Sequence, residues 1–147
     1  MWKGPLHKAQ QYSRYLRHRL NKRIRMTSDM DWLTSDEDER QRFLDDPMSH
    51  FAYTVQGYRD IIHMIQEVNT EKTIMSIPSF LSIYIGIGEN DPMCPNIKKL
   101  IEKYKKIPLQ DLTFEIFSGQ RHALLFEKDK KLVYKSILKW LNERTYL

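Results

Sequence analysis

Apolar residues recur along this chain in two rhythms, and each rhythm predicts a kind of element. Tyr58, Ile61, Ile62, Ile65 and Val68 return every three or four residues after Gly57, which puts them on one face of a helix that should pack on a core. Phe80 to Gly86 is instead a nearly unbroken apolar run between Pro78 and the glycines Gly86 and Gly88, the pattern of a strand covered on both faces in a parallel sheet. Helical spacing resumes after Pro95 with Ile97, Leu100, Ile101 and Tyr104; Leu112 to Phe117 reads as a second strand, and Val133, Ile137, Trp140 and Leu141 line a last helix. Strand, helix, strand, helix is a βαβα unit, so the strands should run parallel and be joined by a right-handed crossover.

The part before this unit reads as helical. Lys8 to Ile24 forms one helix, and Thr34-Ser35-Asp36-Glu37 has the spacing of a capping box opening a short acidic helix that ends before Pro47. The predicted organisation is therefore helices over 1–70 and the βαβα unit over 71–147.

Composition narrows the classes. With 147 residues, 41% hydrophobic and 29% charged, the chain is long enough for one domain with a sizeable core. The longest apolar stretch is far shorter than the roughly 20 residues of a membrane span, and the start MWKGPLHKAQ has no apolar signal core, so a cytoplasmic location is expected. The single cysteine, Cys94, excludes an intrachain disulfide framework and a cysteine-based zinc cluster. The five histidines show no H-x-x-x-H or H-E-x-x-H spacing, so no metal and no cofactor are expected.

The net charge of +5 conceals an asymmetry: Lys3 to Arg25 carries eight Lys/Arg and no acid, whereas Asp29 to Asp46 carries eight acids. The two stretches could face one another, or the basic helix with Tyr12, Tyr15, Leu16 and Leu20 could meet an anionic surface.

Candidate chemistry lies just beyond the two strands. GENDP follows the first and delivers Asp91; SGQRH follows the second and delivers His122. The carboxyl edge of a parallel sheet is where α/β proteins bind ligands and do chemistry. Asn, Asp and Pro are also ordinary turn formers, and either motif alone would read as a surface loop.

Together, GENDPM and SGQRHALLFE followed by LVYKSILKWLNE resemble the C-terminal part of α/β-hydrolase-fold serine hydrolases of the monoacylglycerol lipase and lysophospholipase kind. Upstream, RIRMTSDMDWLTSDEDERQRFLDDPMSHFAYTVQGYRDII resembles that group's cap, with its W-L-S/T, D-P and F-x-x-T-x-x-G-Y landmarks. The resemblance implies a helical cap or lid over 1–70, a C-terminal βαβα part of the α/β-hydrolase core over 71–147, Asp91 as triad acid and His122 as general base. It further implies that Met26, Trp32 and Phe51 of the cap contact a lipid-like substrate such as a monoacylglycerol or lysophospholipid ester; the alternative is that these residues pack the cap onto the main sheet, and both can hold at once.

The sequence departs from the pattern in one respect. It contains no G-x-S-x-G and no H-G-G-type loop, so the nucleophile and part of the oxyanion hole are missing from these residues. The expected partners are accordingly the ester substrate of the complete enzyme and an N-terminal half of the fold, or another chain supplying it. Nucleic acid is not expected, and transient contact with a membrane surface remains open. The alternatives are a catalytically inactive interaction module that uses the basic helix, and a truncated product without function.

Overall fold

The computed structural model describes residues 4–22, 24, 27–49 and 51–145. Its sheet consists of β1 (Ser82–Gly88) and β2 (Asp111–Phe117), paired in parallel from Ser82 opposite Asp111 to Gly88 opposite Phe117. Two parallel strands need a crossover, and the chain between them forms α5 (Ile97–Tyr104). Around this unit lie α1 (Gln10–Asn21), α2 (Glu37–Asp45), α3 (Val55–Val68), α4 (Glu71–Met75), a 3₁₀ turn at Leu124–Phe126 and α6 (Lys130–Asn142).

Side-chain alternation along β2 decides which helix covers which face. Thr113 and Glu115 share one face with Tyr84, the register partner of Thr113. That face meets α6: the Trp140 indole N–H donates to Thr113 Oγ1 at 3.0 Å, and the Tyr84 hydroxyl donates to Glu115 at 2.6 Å and lies 3.1 Å from the Ser136 hydroxyl. Burial, and then the Glu115 carboxylate, push the Tyr84 phenol up to about 12. Phe114 points to the opposite face, where its ring meets Tyr104 of α5 at 6.3 Å. Arg144, just past α6, ties that helix to the start of β2 through Asp111, at 2.5 Å from Nε and 2.7 Å from Nη2. That fork holds the Asp111 carboxyl down at about 2.

The first strand lies two residues later than its apolar run predicts. Phe80 and Leu81 are outside the ladder and exposed, while Gly86 and Gly88 lie within it. Position 88 shows why a glycine belongs inside a strand here: a Cβ on it would lie 2.1 Å from the carbonyl oxygen of Arg121. The loop carrying His122 crosses the end of β1 at a distance no side chain tolerates.

Two further expectations are corrected. The predicted capping box is not formed; the N-cap of α2 is Asp36, whose carboxylate accepts from the Asp38 and Glu39 amides. Thr34 is drawn away, because its hydroxyl donates to the carbonyl of Phe126 at 2.8 Å. The apolar face of α3 is not buried on a core either: Ile62, Ile65 and Val68 are 43%, 47% and 51% exposed. Periodicity fixes where an apolar face points; it does not supply the element that covers it.

The helical region is joined to itself by backbone. Lys8 bridges Thr54, the Ala9 amide donates to Tyr53, and Tyr12 of α1 packs edge-on against Tyr58 of α3 at 4.8 Å. Of the basic and acidic stretches, Arg17 and Asp29 meet at 3.5 Å.

Candidate active site

The loops leaving β1 and β2 are stitched together before either presents a functional group. The Glu89 amide extends the ladder by donating to Phe117, and the Asn90 amide donates to Gln120. The Glu89 carboxylate accepts from the Ser118 hydroxyl at 2.7 Å and the Gly119 amide at 2.9 Å. These bonds hold Glu89 below its ordinary range and aim it along the seam between the loops. Gly119 makes the turn with φ +72°, a left-handed conformation that favours glycine.

Asp91 and His122 emerge from this seam side by side, with Oδ2 of Asp91 3.0 Å from Nδ1 of His122. The other oxygen of Asp91 accepts from the Met93 amide at 2.8 Å, a local turn that aligns the carboxylate. The Asp91 side chain is 10% exposed, against 40% for His122. An acceptor-only carboxylate facing Nδ1 selects the tautomer with its proton on Nδ1. Nε2 then keeps its lone pair, and it has no hydrogen-bond partner among the described residues.

His122 is flanked by the segment before α2. The Trp32 ring lies 5.3 Å from the imidazole, inclined by 38°. The Ala123 amide donates to Leu33 at 2.8 Å, and the Arg121 guanidinium donates to the carbonyls of Asp31 at 2.5 Å and Thr34 at 3.1 Å. Asp31 itself is 1% exposed. Burial alone would raise it, but the Thr27 and Ser28 amides, the Ser28 hydroxyl and Arg40 at 3.0 Å hold its carboxyl below the ordinary range.

The other residues expected at a site are placed as follows. Trp32 stands against His122; its indole N–H is buried and has no partner among the described residues. Phe51 is half exposed and packs on Tyr53 at 5.0 Å, in an aromatic row continuing to Tyr58 and Tyr12, and so belongs to a different cluster from the Asp91–His122 pair. Met26 lies outside the described residues. Cys94 is half-buried, and burial with the neighbouring Asp91 pushes its thiol up, the opposite of what a thiolate nucleophile needs. Asp91 also borders a cleft of about 970 Å³ with Arg19, Lys22, Asn96, Lys98 and Arg121. Sequence reading missed Arg121, Glu127 and Ser35, whose interactions around the histidine loop span about 90 positions and leave no local pattern.

Residues 2–129 match the family model described as serine aminopeptidase, S33. Among solved structures, the chain superposes on a highly thermostable carboxyl esterase from Bacillus coagulans in complex with glycerol, with a TM-score of 0.83 and 18% identity over 95% of this chain and 47% of that one. It also superposes on a soluble variant of monoglyceride lipase from Saccharomyces cerevisiae in complex with a substrate analogue, with a TM-score of 0.64 and 22% identity over 95% of this chain and 53% of that one. A Paleococcus ferrophilus monoacylglycerol lipase gives a TM-score of 0.68 and 16% identity over 98% of this chain and 56% of that one. These likenesses show a partial α/β-hydrolase fold; the chain spans about half the length of each of the three. No curated protein matches it in sequence.

Proposed function

Because the chain belongs to the serine aminopeptidase S33 family of α/β-hydrolases, we propose that it is the acid-and-base half of a serine hydrolase acting on carboxylic esters. The observation that carries this reading is the 3.0 Å approach of Asp91 to Nδ1 of His122, made by two loops at the carboxyl edge of one parallel strand pair. Asp91 holds the imidazole in the Nδ1–H tautomer and stabilises its cation. Nε2 takes the proton of a serine hydroxyl as that oxygen attacks the ester carbonyl, and returns it to the leaving alcohol. The serine comes from a segment carrying G-x-S-x-G, which residues 1–147 do not contain.

In this reading residues 1–70 are the cap and 71–147 the core, and the substrate is lipid-like. Trp32 beside His122 offers an apolar wall for an acyl group. The solved relatives bound to glycerol and to a monoglyceride lipase substrate analogue support a small ester of this type. The exposed apolar faces of α3 and α6, with Ile62, Ile65, Leu138 and Leu141 at 42% to 57% exposure, suit coverage by the remainder of the fold. The exposed tyrosines Tyr12 and Tyr15 on the basic α1 support transient contact with an anionic membrane surface. No helix among the described residues is long and apolar enough to cross a membrane.

Labelling by a fluorophosphonate probe tests the proposal. Residues 1–147 alone should remain unlabelled, whereas the chain joined to the segment bearing G-x-S-x-G should be labelled at that serine and should hydrolyse short acyl esters. Labelling of a serine within residues 1–147, or no labelling after completion, would sink it.

A further inference from the structure

Glu127 is a buried carboxylate that the proposed chemistry leaves without a task. It is 1% exposed and has no ion-pair partner among the described residues. Its environment is instead a convergence of neutral donors. Oε1 accepts from the Arg121 amide at 2.8 Å, the Ser35 amide lies 3.2 Å and 3.1 Å from the two oxygens, and the Ser35 hydroxyl donates to Oε2 at 2.5 Å. Burying a carboxyl group is costly unless hydrogen-bond donors converge on it, as they do here.

It holds the two chain segments that frame His122. On one side, Arg121 donates its amide to Glu127; on the other, Ala123 donates its amide to Leu33 of the segment that Ser35 pins to the same carboxylate. The backbone immediately before and after the histidine is therefore fixed through one buried group and one strap, residues 31–35. Trp32 of that strap is the residue whose ring lies against the imidazole. An acceptor-only carboxylate can receive all three donors at once, whereas the isosteric amide of glutamine would turn two hydrogens of its own against them.

We infer that Glu127 is a positioning residue, which fixes the His122 loop to the strap and so keeps the imidazole aligned on Asp91. The inference rests on reading His122 as the general base, but its test does not pass through hydrolysis. A completed enzyme without esterase activity would defeat that reading and leave this result standing.

The experiment is ¹⁵N NMR of the 147-residue chain, reading the His122 imidazole nitrogens and the exchange protection of the Arg121 and Ala123 amides. In the parent, the neutral His122 imidazole should carry its proton on Nδ1 and leave Nε2 unprotonated. Glu127→Gln should replace this signature with the averaged tautomers of an unrestrained imidazole and lower protection at both amides by about tenfold or more. Glu39→Gln is the control: Glu39 is also buried, but ties α2 to α6 through Lys130 at 2.5 Å, and its loss should leave the His122 signals in place. A folded Glu127→Gln with the parent tautomer, or a Glu39→Gln that disturbs His122 equally, would overturn the inference. Should Glu127→Gln fail to fold, Ser35→Ala decides: it removes one donor to the carboxylate and should shift the same signals partway, and unchanged signals would refute the proposal.

Discussion

The two loops that bring Asp91 and His122 together are built on opposite plans. The Asp91 loop is held largely from within: its amide donates to Gly88, its carbonyl accepts from Cys94 and its carboxylate from Met93, all inside seven residues. The His122 loop is held from outside, by Leu33, Asp31 and Thr34 through bonds spanning 87 to 90 positions, with Glu127 completing the tie to Ser35. Asp91, its side chain 10% exposed, is thus fixed by local turn chemistry, while the more exposed His122 depends on residues 31–35. The difference shows how an acid–base pair can be rigid on one side and answerable to a separate segment on the other.

The largest effects come from removing the groups themselves in the completed enzyme. His122→Ala should lower turnover of a short acyl ester by about 10⁴ to 10⁶, since general base and general acid vanish together. Asp91→Asn should cost about 10⁴, because the imidazole stays but loses the partner that fixes its tautomer. Steady-state kinetics with an acetyl or butyryl ester checks both.

Next is the seam between the loops. Gly88→Ala places a methyl group 2.1 Å from a backbone carbonyl, a clash with no flexible end to move. It should destabilise the chain by about 3–5 kcal/mol, read as a fall in the urea midpoint. The same change at Gly4, where nothing lies within 4 Å, should leave the midpoint unaltered.

Acid and alkali separate the regions more gently. Asp31 and Asp111 both have depressed carboxyls, Asp111 down to about 2, so each contributes stability that is present above the ordinary value near 3.9 and lost as pH falls through the folded one. Tyr84, raised to about 12, contributes stability present below pH 10 and lost between about 10 and 12. Stability against urea should therefore fall on both sides of a plateau, and Arg144→Gln should shrink the Asp111 part of the acid limb, leaving the share that Ser82 supplies. Because Asp31 sits in the strap, amides 27–35 should lose exchange protection as its carboxyl protonates.

The smallest effect belongs to Glu89. It lies two residues from Asp91, yet its carboxylate faces Ser118 and Gly119, so Glu89→Gln should keep turnover within a few-fold of the parent. If Glu89→Gln abolished turnover and Asp91→Asn did not, the acid would be misassigned.

What could be read in the sequence follows the same division. The βαβα order and the proximity of the two loop residues were legible because strand and helix periods and turn residues such as Asn90-Asp91-Pro92 are local signals. The ends of β1 were not, since the ladder with β2 draws Gly88 in and leaves Phe80 out. Thr34 looked like a cap but serves Phe126, 92 positions away. No local pattern in LLFE marks Glu127, and only the fold shows the three donors converging on it.

Asp91 and His122 should act as one unit, and a double-mutant cycle on ester turnover in the completed enzyme measures this directly. Asp91→Asn/His122→Ala should be no slower than His122→Ala alone, within a few-fold, because a carboxylate with no imidazole to orient has nothing left to contribute. Losses that multiply to the product of the two single effects, or near-parent turnover in His122→Ala, would contradict it.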